Sequence, residues 1–179
     1  MGSAKSSFKW WSRNYRNIRG VVKIKVLGID SSSTATGYAI LEDNKIIVSG
    51  DIKPNKKLSS IERVIYIEQE INTLYDKYKP DFIVIEEMVA FRNANAMRIL
   101  IALIYHLVIE FTKKDALVVL ARPSEVRKGK ISGRKREEIK KQSIDYVNKK
   151  YKLKLDDDNI SDAILLAEYG LSLEVEEWF

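Results

Sequence analysis

Cysteine is absent from this 179-residue chain, and histidine occurs once, at His106. Without cysteine there is no disulfide framework, no thiolate metal site and no thiol nucleophile, and nothing argues for secretion, so a reducing compartment fits. Long apolar runs are also lacking. The stretch IALIYHLVI, residues 101–109, falls short of a bilayer span, and no basic-then-apolar leader opens the sequence. A soluble, cytoplasmic protein is expected, and neither internal repeats nor low-complexity tracts suggest a fibrous one. His106 lies inside the most apolar helical stretch and reads as a core or interface residue rather than a general base.

Apolar residues make up 45% of the chain, enough for one domain to bury a proper core without metal or disulfide staples. The formal charge of +6 is less informative than its distribution. Residues 1–25 carry seven Lys/Arg and no acid, and residues 122–154 carry thirteen against four, so the rest of the chain is net acidic. A basic surface beside an acidic centre suits a protein that grips a polyanion and also gathers divalent cations. The bland alternative is a set of solvated lysine-rich helices. Residues 1–20 are basic and aromatic, with Trp10 and Trp11 among Arg13, Arg16 and Arg19. They read either as an arm for nucleic acid or, in part, as a leader sequence, with residues 21–179 as the folded domain.

Periodicity divides that domain. β-Branched runs at residues 21–29, 37–41 and 45–52 read as a meander turning at Glu42-Asp43-Asn44. Ile61, Val64, Ile65, Ile71, Leu74 and Tyr78 recur at helical spacing, closed by Pro80. Phe82 to Ile85 is apolar on both faces, as in a central strand, and stops at Glu86-Glu87. Residues 93–112 form an apolar helix. One side of it is expected on the sheet, and the other, with some of Met97, Leu100, Ile101, Ile104 and Val108, either covers a second subunit or is buried within the domain. A strand at 116–120, a basic loop at 123–133, an amphipathic helix at 134–149 and a last helix from Asp158 complete an α/β chain with a mixed sheet. Ala163, Leu166 and Ala167 form the expected inner stripe of that last helix.

The acids stand at telling places. Asp30 ends the first strand in VLGIDSSSTATGYAIL, Glu86 ends the fourth, and Asp158 and Asp162, four apart on one face, open the last helix. Like charges at that spacing cost a few tenths of a kcal/mol, so something should offset them. N-capping by Asp157 or Asp158 accounts for part of the cluster. Acids also mark ordinary strand ends and turns. Converged, however, the three clusters would make an all-oxygen site suited to Mg²⁺ or Mn²⁺ rather than zinc.

LGIDSSSTATGYAIL, FIVIEEMVAFRNANAMRIL and DDDNISDAILLAEYG, in that order across residues 24–171, resemble the three acidic motifs of RuvC-type Holliday junction resolvases, with a background more like phage or viral members. The resemblance implies an RNase H-like mixed five-stranded sheet flanked by helices, a homodimer, and cleavage of four-way DNA junctions by two-metal hydrolysis. Carried over by position, Asp30 would bridge two ions, Glu86 and Asp162 would be further ligands, and Glu87 a neighbour. The housekeeping pattern has an acid where this chain has Asn159, and Asp158 is the candidate in its stead. Two ions about 3.5–4 Å apart activate water and stabilise the leaving 3′-oxygen. Arg127, Lys128, Lys130, Arg134, Lys135 and Arg136 fall where the family has basic DNA contacts. Lys135 or Arg136 is the candidate for steadying transition-state charge. Phe91, with Arg92 beside it, is the candidate for stacking on an opened base or for packing.

Two other readings stand beside this one. Asn159 makes a branched-DNA-binding protein that does not cut conceivable. Actin-like and sugar-kinase ATPases also open with a strand ending in Asp before a Gly/Ser/Thr loop, although the chain is short for them and shows no second phosphate-binding loop.

Overall fold

A computed structural model describes residues 23–32, 34–88 and 94–173. Its elements are β1 (Lys25–Asp30), β2 (Thr36–Glu42), β3 (Lys45–Ile52), α1 (Ser60–Tyr78), β4 (Phe82–Glu86), α2 (Ala94–Lys113), β5 (Leu117–Ala121), α3 (Pro123–Arg127), α4 (Arg136–Tyr151) and α5 (Asp158–Ser172). The strands form one sheet in the order β3-β2-β1-β4-β5. β1, β2 and β3 are the antiparallel meander, and β4 and β5 are parallel to β1. Asp43 and Asn44 both take positive φ, the two-residue hairpin turn that matches strand twist.

Strand alternation sorts the core onto the two sheet faces. Leu27, Ile29, Ile83 and Ile85 face α1 and α2, where Ile67, Ile71, Leu103, Leu107 and Phe111 complete a cluster. Val26, Phe82 and Val84 face α5, which α4 covers from outside. β4 is central and apolar on both faces, as its sequence suggests. α1 begins at a capping box, with Ser59 Oγ accepting from the Glu62 amide and Glu62 from the Ser59 amide. It ends at Lys79, in the left-handed region just before Pro80.

α5 lies directly on sheet backbone. A Cβ on Gly37 would overlap the Asn159 carbonyl, and one on Gly28 would overlap the Ala163 carbonyl and come within 2.6 Å of the Ala167 amide nitrogen. Glycine at those two strand positions lets the helix approach closely. The buried surface of α5 runs well beyond the expected Ala163, Leu166 and Ala167 stripe to include Ser161, Ile164, Leu165, Glu168 and Gly170.

One expectation is corrected and two open ones are narrowed. Residues 123–133 are not all loop: Pro123 at the first turn and Glu125 accepting from the Arg122 amide at 3.0 Å start the short α3, anchored by buried Val126. On α2, Leu100 and Ile104 belong to the inner, buried side, and the outward apolar residues are Ile101, Tyr105 and Ile109 at 39%, 55% and 51% exposure. Of the two readings of His106, core or interface, its exposure removes the first. Its imidazole is about half exposed and lies 3.9 Å from Glu68, because at this point the helix turns its outer face to solvent. Among the described residues, no helix is long and apolar enough to cross a membrane.

Candidate active site

β1 and β4 are parallel neighbours in register from Val26 opposite Phe82 to Ile29 opposite Ile85, so their carboxyl ends, and with them Asp30 and Glu86, lie side by side. The glycine contacts bring the first turns of α5 over those ends. Asp157 caps that helix, accepting the Asn159 amide at 2.8 Å. Asp158 and Asp162 then project toward the strand ends, and all four acids line one cleft of about 760 Å³. The sequence placed Asp30 and Glu86 at strand ends and Asp158 and Asp162 at the start of one helix, and the fold brings them to one cleft.

Burial dominates the electrostatics. It pushes the Asp30 carboxyl well above the usual carboxylate range, and the charges of Glu86, Asp162 and Asp158 push it further. A proton shared between the neighbouring Asp30 and Glu86 carboxyls would raise the first and lower the second. Glu86 and Asp162 are also raised by burial, opposed for Glu86 by the proton shared with Asp30 and by Arg127, and for Asp162 first by Arg127. Like charges crowded in a desolvated place favour the protonated form unless a cation joins them.

The chain supplies cations of its own. Arg127 Nη2 lies 3.1 Å from Asp162 Oδ2 and 3.7 Å from Glu86 Oε1, and Lys140 Nζ lies 2.6 Å from Asp158 Oδ2. Arg127 thus bridges Glu86 and Asp162 while Lys140 holds Asp158 alone, and among the described residues no three acids close on a common point. Asp162 Oδ1 is buried with no hydrogen-bond partner, and so is Ser143 Oγ. Ser143 nonetheless favours the ionised form of Asp162, which puts the hydroxyl beside the carboxylate, just outside bonding geometry. A buried carboxylate oxygen without a partner, in a cleft lined by several carboxylates and no His or Cys, fits a hard divalent cation.

The remaining candidates divide. Arg127, Arg134 and Arg136 line the cleft with the acids. Lys128, Lys130 and Lys135 do not line it. Lys130 is instead held 3.0 Å from Glu168, and Lys135 is the N-cap residue of α4. Glu87 lines the cleft but pairs with Arg122 at 3.0 Å, in keeping with a neighbour's role. Asn159 turns its amide nitrogen back to Asp157 Oδ1 at 2.9 Å. Phe91, Arg92 and the arm at residues 1–20 lie outside the described residues. The sequence reading missed Lys140 and Ser143. Both sit on an amphipathic helix where adjacent lysines at 140 and 141 look alike, and only the packing of α4 on α5 singles out the first.

Comparison with known proteins points one way. The family model described as crossover junction endodeoxyribonuclease RuvC matches residues 26–168. Curated relatives of that name include those of Fusobacterium nucleatum, 35% identical over 39% of this chain and 39% of the relative, and Acidobacterium capsulatum, 33% identical over 41% and 48%. The aligned stretches thus span less than half the length of these relatives. Among solved structures, T. thermophilus RuvC in complex with a Holliday junction substrate superposes with a TM-score of 0.67 at 17% identity, over 82% of this chain and 91% of that one. The Fowlpox virus resolvase with Holliday junction DNA gives 0.55 at 19%, over 84% and 100%. These structural likenesses establish the RNase H-like fold, and because the family model covers most of the sequence, the chain belongs to the RuvC family of crossover junction endodeoxyribonucleases.

Proposed function

We propose that this protein is a metal-dependent endonuclease that resolves four-way DNA junctions by phosphodiester hydrolysis, acting as a homodimer in the cytoplasm. One observation carries the reading: Asp30, Glu86, Asp158 and Asp162, far apart in sequence, line a single cleft whose walls carry Arg127, Arg134 and Arg136. Two relatives of the same fold were solved with Holliday junctions bound, which makes branched DNA the substrate to test.

Asp30, Glu86 and Asp162 would hold divalent ions, with Asp158 as the fourth acid. Two such ions, Mg²⁺ or Mn²⁺ in its stead, would supply the activated water and neutralise charge on the leaving 3′-oxygen. Burial keeps water from competing for the acids and strengthens their grip on a cation. Arg134 and Arg136 meet phosphates at the cleft wall and set the position of the strand. Arg136 is the better placed of the two transition-state candidates, since Lys135 is not on the cleft. Phe91, for stacking rather than packing, and Arg92 enter this proposal as DNA-contact candidates, as do residues 1–20 as an arm rather than a leader. The outward stripe Ile101, Tyr105 and Ile109 on α2 is the surface on which a second copy would pack.

The test is a synthetic four-way junction incubated with Mg²⁺, with protein and its Asp30→Asn variant. Cleavage is expected from the first and a loss of about a thousandfold or more from the second, with junction binding retained or tightened because negative charge has left the cleft. Binding without cleavage by the unaltered protein would favour the non-cutting reading, and undiminished cutting by Asp30→Asn would remove the site from the reaction.

A further inference from the structure

Lys140 stands apart from the other cleft cations. Its ammonium, on a side chain one-third exposed, lies 2.6 Å from Asp158 Oδ2, and both residues line the cleft. Arg136, one turn earlier on α4, lines it as well, so this face of α4 presents two positive side chains to the α5 acids. Asp158 is the acid left for the fourth position, since Asn159 is neutral and donates its amide to Asp157. Through Lys140 that acid is already neutralised without any metal. This also answers how α5 tolerates two like charges one turn apart: Lys140 takes Asp158, and Arg127 takes Asp162 at 3.1 Å.

We propose that Lys140 is a positioning residue that occupies Asp158 in place of a divalent ion and yields it when a DNA phosphate enters the cleft, coupling metal loading to substrate. The proposal rests on the nuclease reading above. An ammonium beside a carboxylate repels a dication approaching the same oxygens, so the pair holds metal affinity down in the DNA-free protein. A lysine stem turns about four bonds, so Nζ can move from carboxylate to phosphate without any shift of α4. The linkage is reciprocal: whatever draws Lys140 off Asp158 tightens metal, and metal at Asp158 frees Lys140 for the phosphate.

The experiment measures Mn²⁺ affinity of the full chain by calorimetry, with and without junction DNA. In the DNA-free protein, Lys140→Met is expected to raise affinity about three- to tenfold, the scale of a part-exposed charge pair acting on an ion. Lys140→Gln should do the same and serves if the methionine variant folds poorly. Lys141→Met removes the same charge from the exposed neighbour and should leave affinity within about twofold. In an Asp158→Asn background Lys140→Met should bring no gain, and it should shrink the tightening that junction DNA produces in the unaltered protein. An unchanged or lowered affinity in both Lys140 variants, or an equal gain from Lys141→Met, overturns the proposal. If Mn²⁺ binds and Asp30→Asn abolishes it while the Lys140 variants do nothing, only the role of Lys140 falls. If no Mn²⁺ binds with or without DNA, the metal reading falls with it.

Discussion

The two faces of the sheet are covered in opposite ways. On one, α5 touches strand backbone through Gly28 and Gly37, is itself covered by α4, and buries a full charge, Glu168, at 5% exposure. On the other, α1 and α2 pack by interlocking aliphatic side chains and leave Ile61, Ile65, Ile101, Tyr105 and Ile109 exposed. Both faces shield the same strands, but only the first has to hold carboxylates at fixed positions. Backbone-to-backbone contact permits little adjustment, whereas interdigitated aliphatics repack when volume is kept. The candidate catalytic acids are therefore expected on the less forgiving face, and the surface for a partner on the more forgiving one.

Breaking the close approach should have the largest effect. Gly37→Ala drives a methyl group into the Asn159 carbonyl and is expected to cost about 3 kcal/mol or more, with junction cleavage lost because the first turn of α5 must move. Urea denaturation and the cleavage assay measure the two losses. Next comes Glu168, whose carboxylate receives Lys130 at 3.0 Å, Lys150 at 2.8 Å and the Tyr151 hydroxyl at 2.7 Å. Glu168→Ala strands two lysines and should cost about 3 kcal/mol, the low end for removing one member of a buried pair because the lysines keep partial access to water.

The pH dependence sharpens the comparison, because Asp30 and Glu168 shift in opposite directions. Burial and neighbouring acids raise Asp30, so without metal the folded protein keeps that proton to higher pH than the unfolded chain. The stability this group allows is full below about pH 4 and declines as pH rises through its folded value. For Glu168, burial pushes upward but Lys150, Tyr151 and Lys130 outweigh it, and the net shift is down. Its contribution is present above about pH 4.3 and is lost as pH falls through the folded value. Denaturant midpoints in a chelator should show Asp30→Asn flattening the decline toward neutral pH and Glu168→Gln flattening the loss in acid. A profile for Asp30→Asn parallel to that of the unaltered protein would contradict the burial of that carboxyl.

The smallest effect on stability belongs to the outer stripe of α2. Tyr105→Ser with Ile109→Ser should change monomer stability by under about 0.5 kcal/mol each, as exposed positions do, yet abolish the proposed dimer in sedimentation velocity. A stable dimer in that double variant would move the interface elsewhere.

Much of this architecture was legible in the chain. The third strand has the bounds that its alternation suggests, and the last helix begins at Asp158 as expected. The short α3 was hidden because Pro123 and the basic residues after it look like loop, and the helix depends on the Glu125 hydrogen bond and the burial of Val126. Which apolar residues of α2 face outward was left open because a helix apolar around most of its girth has no periodic signal to orient it.

For the site, the sequence by itself determined which groups are available: carboxylates without cysteine, acids at the ends of two strands and the start of a helix, and basic residues between them. Those facts follow from residue type and local period. Only the tertiary structure decided which charges meet, placing Arg127 between Glu86 and Asp162, Lys140 rather than Lys141 on Asp158, and Lys130 on Glu168 instead of the cleft. An ion pair depends on a few ångströms of separation between distant segments, and the register of one helix on another sets that separation.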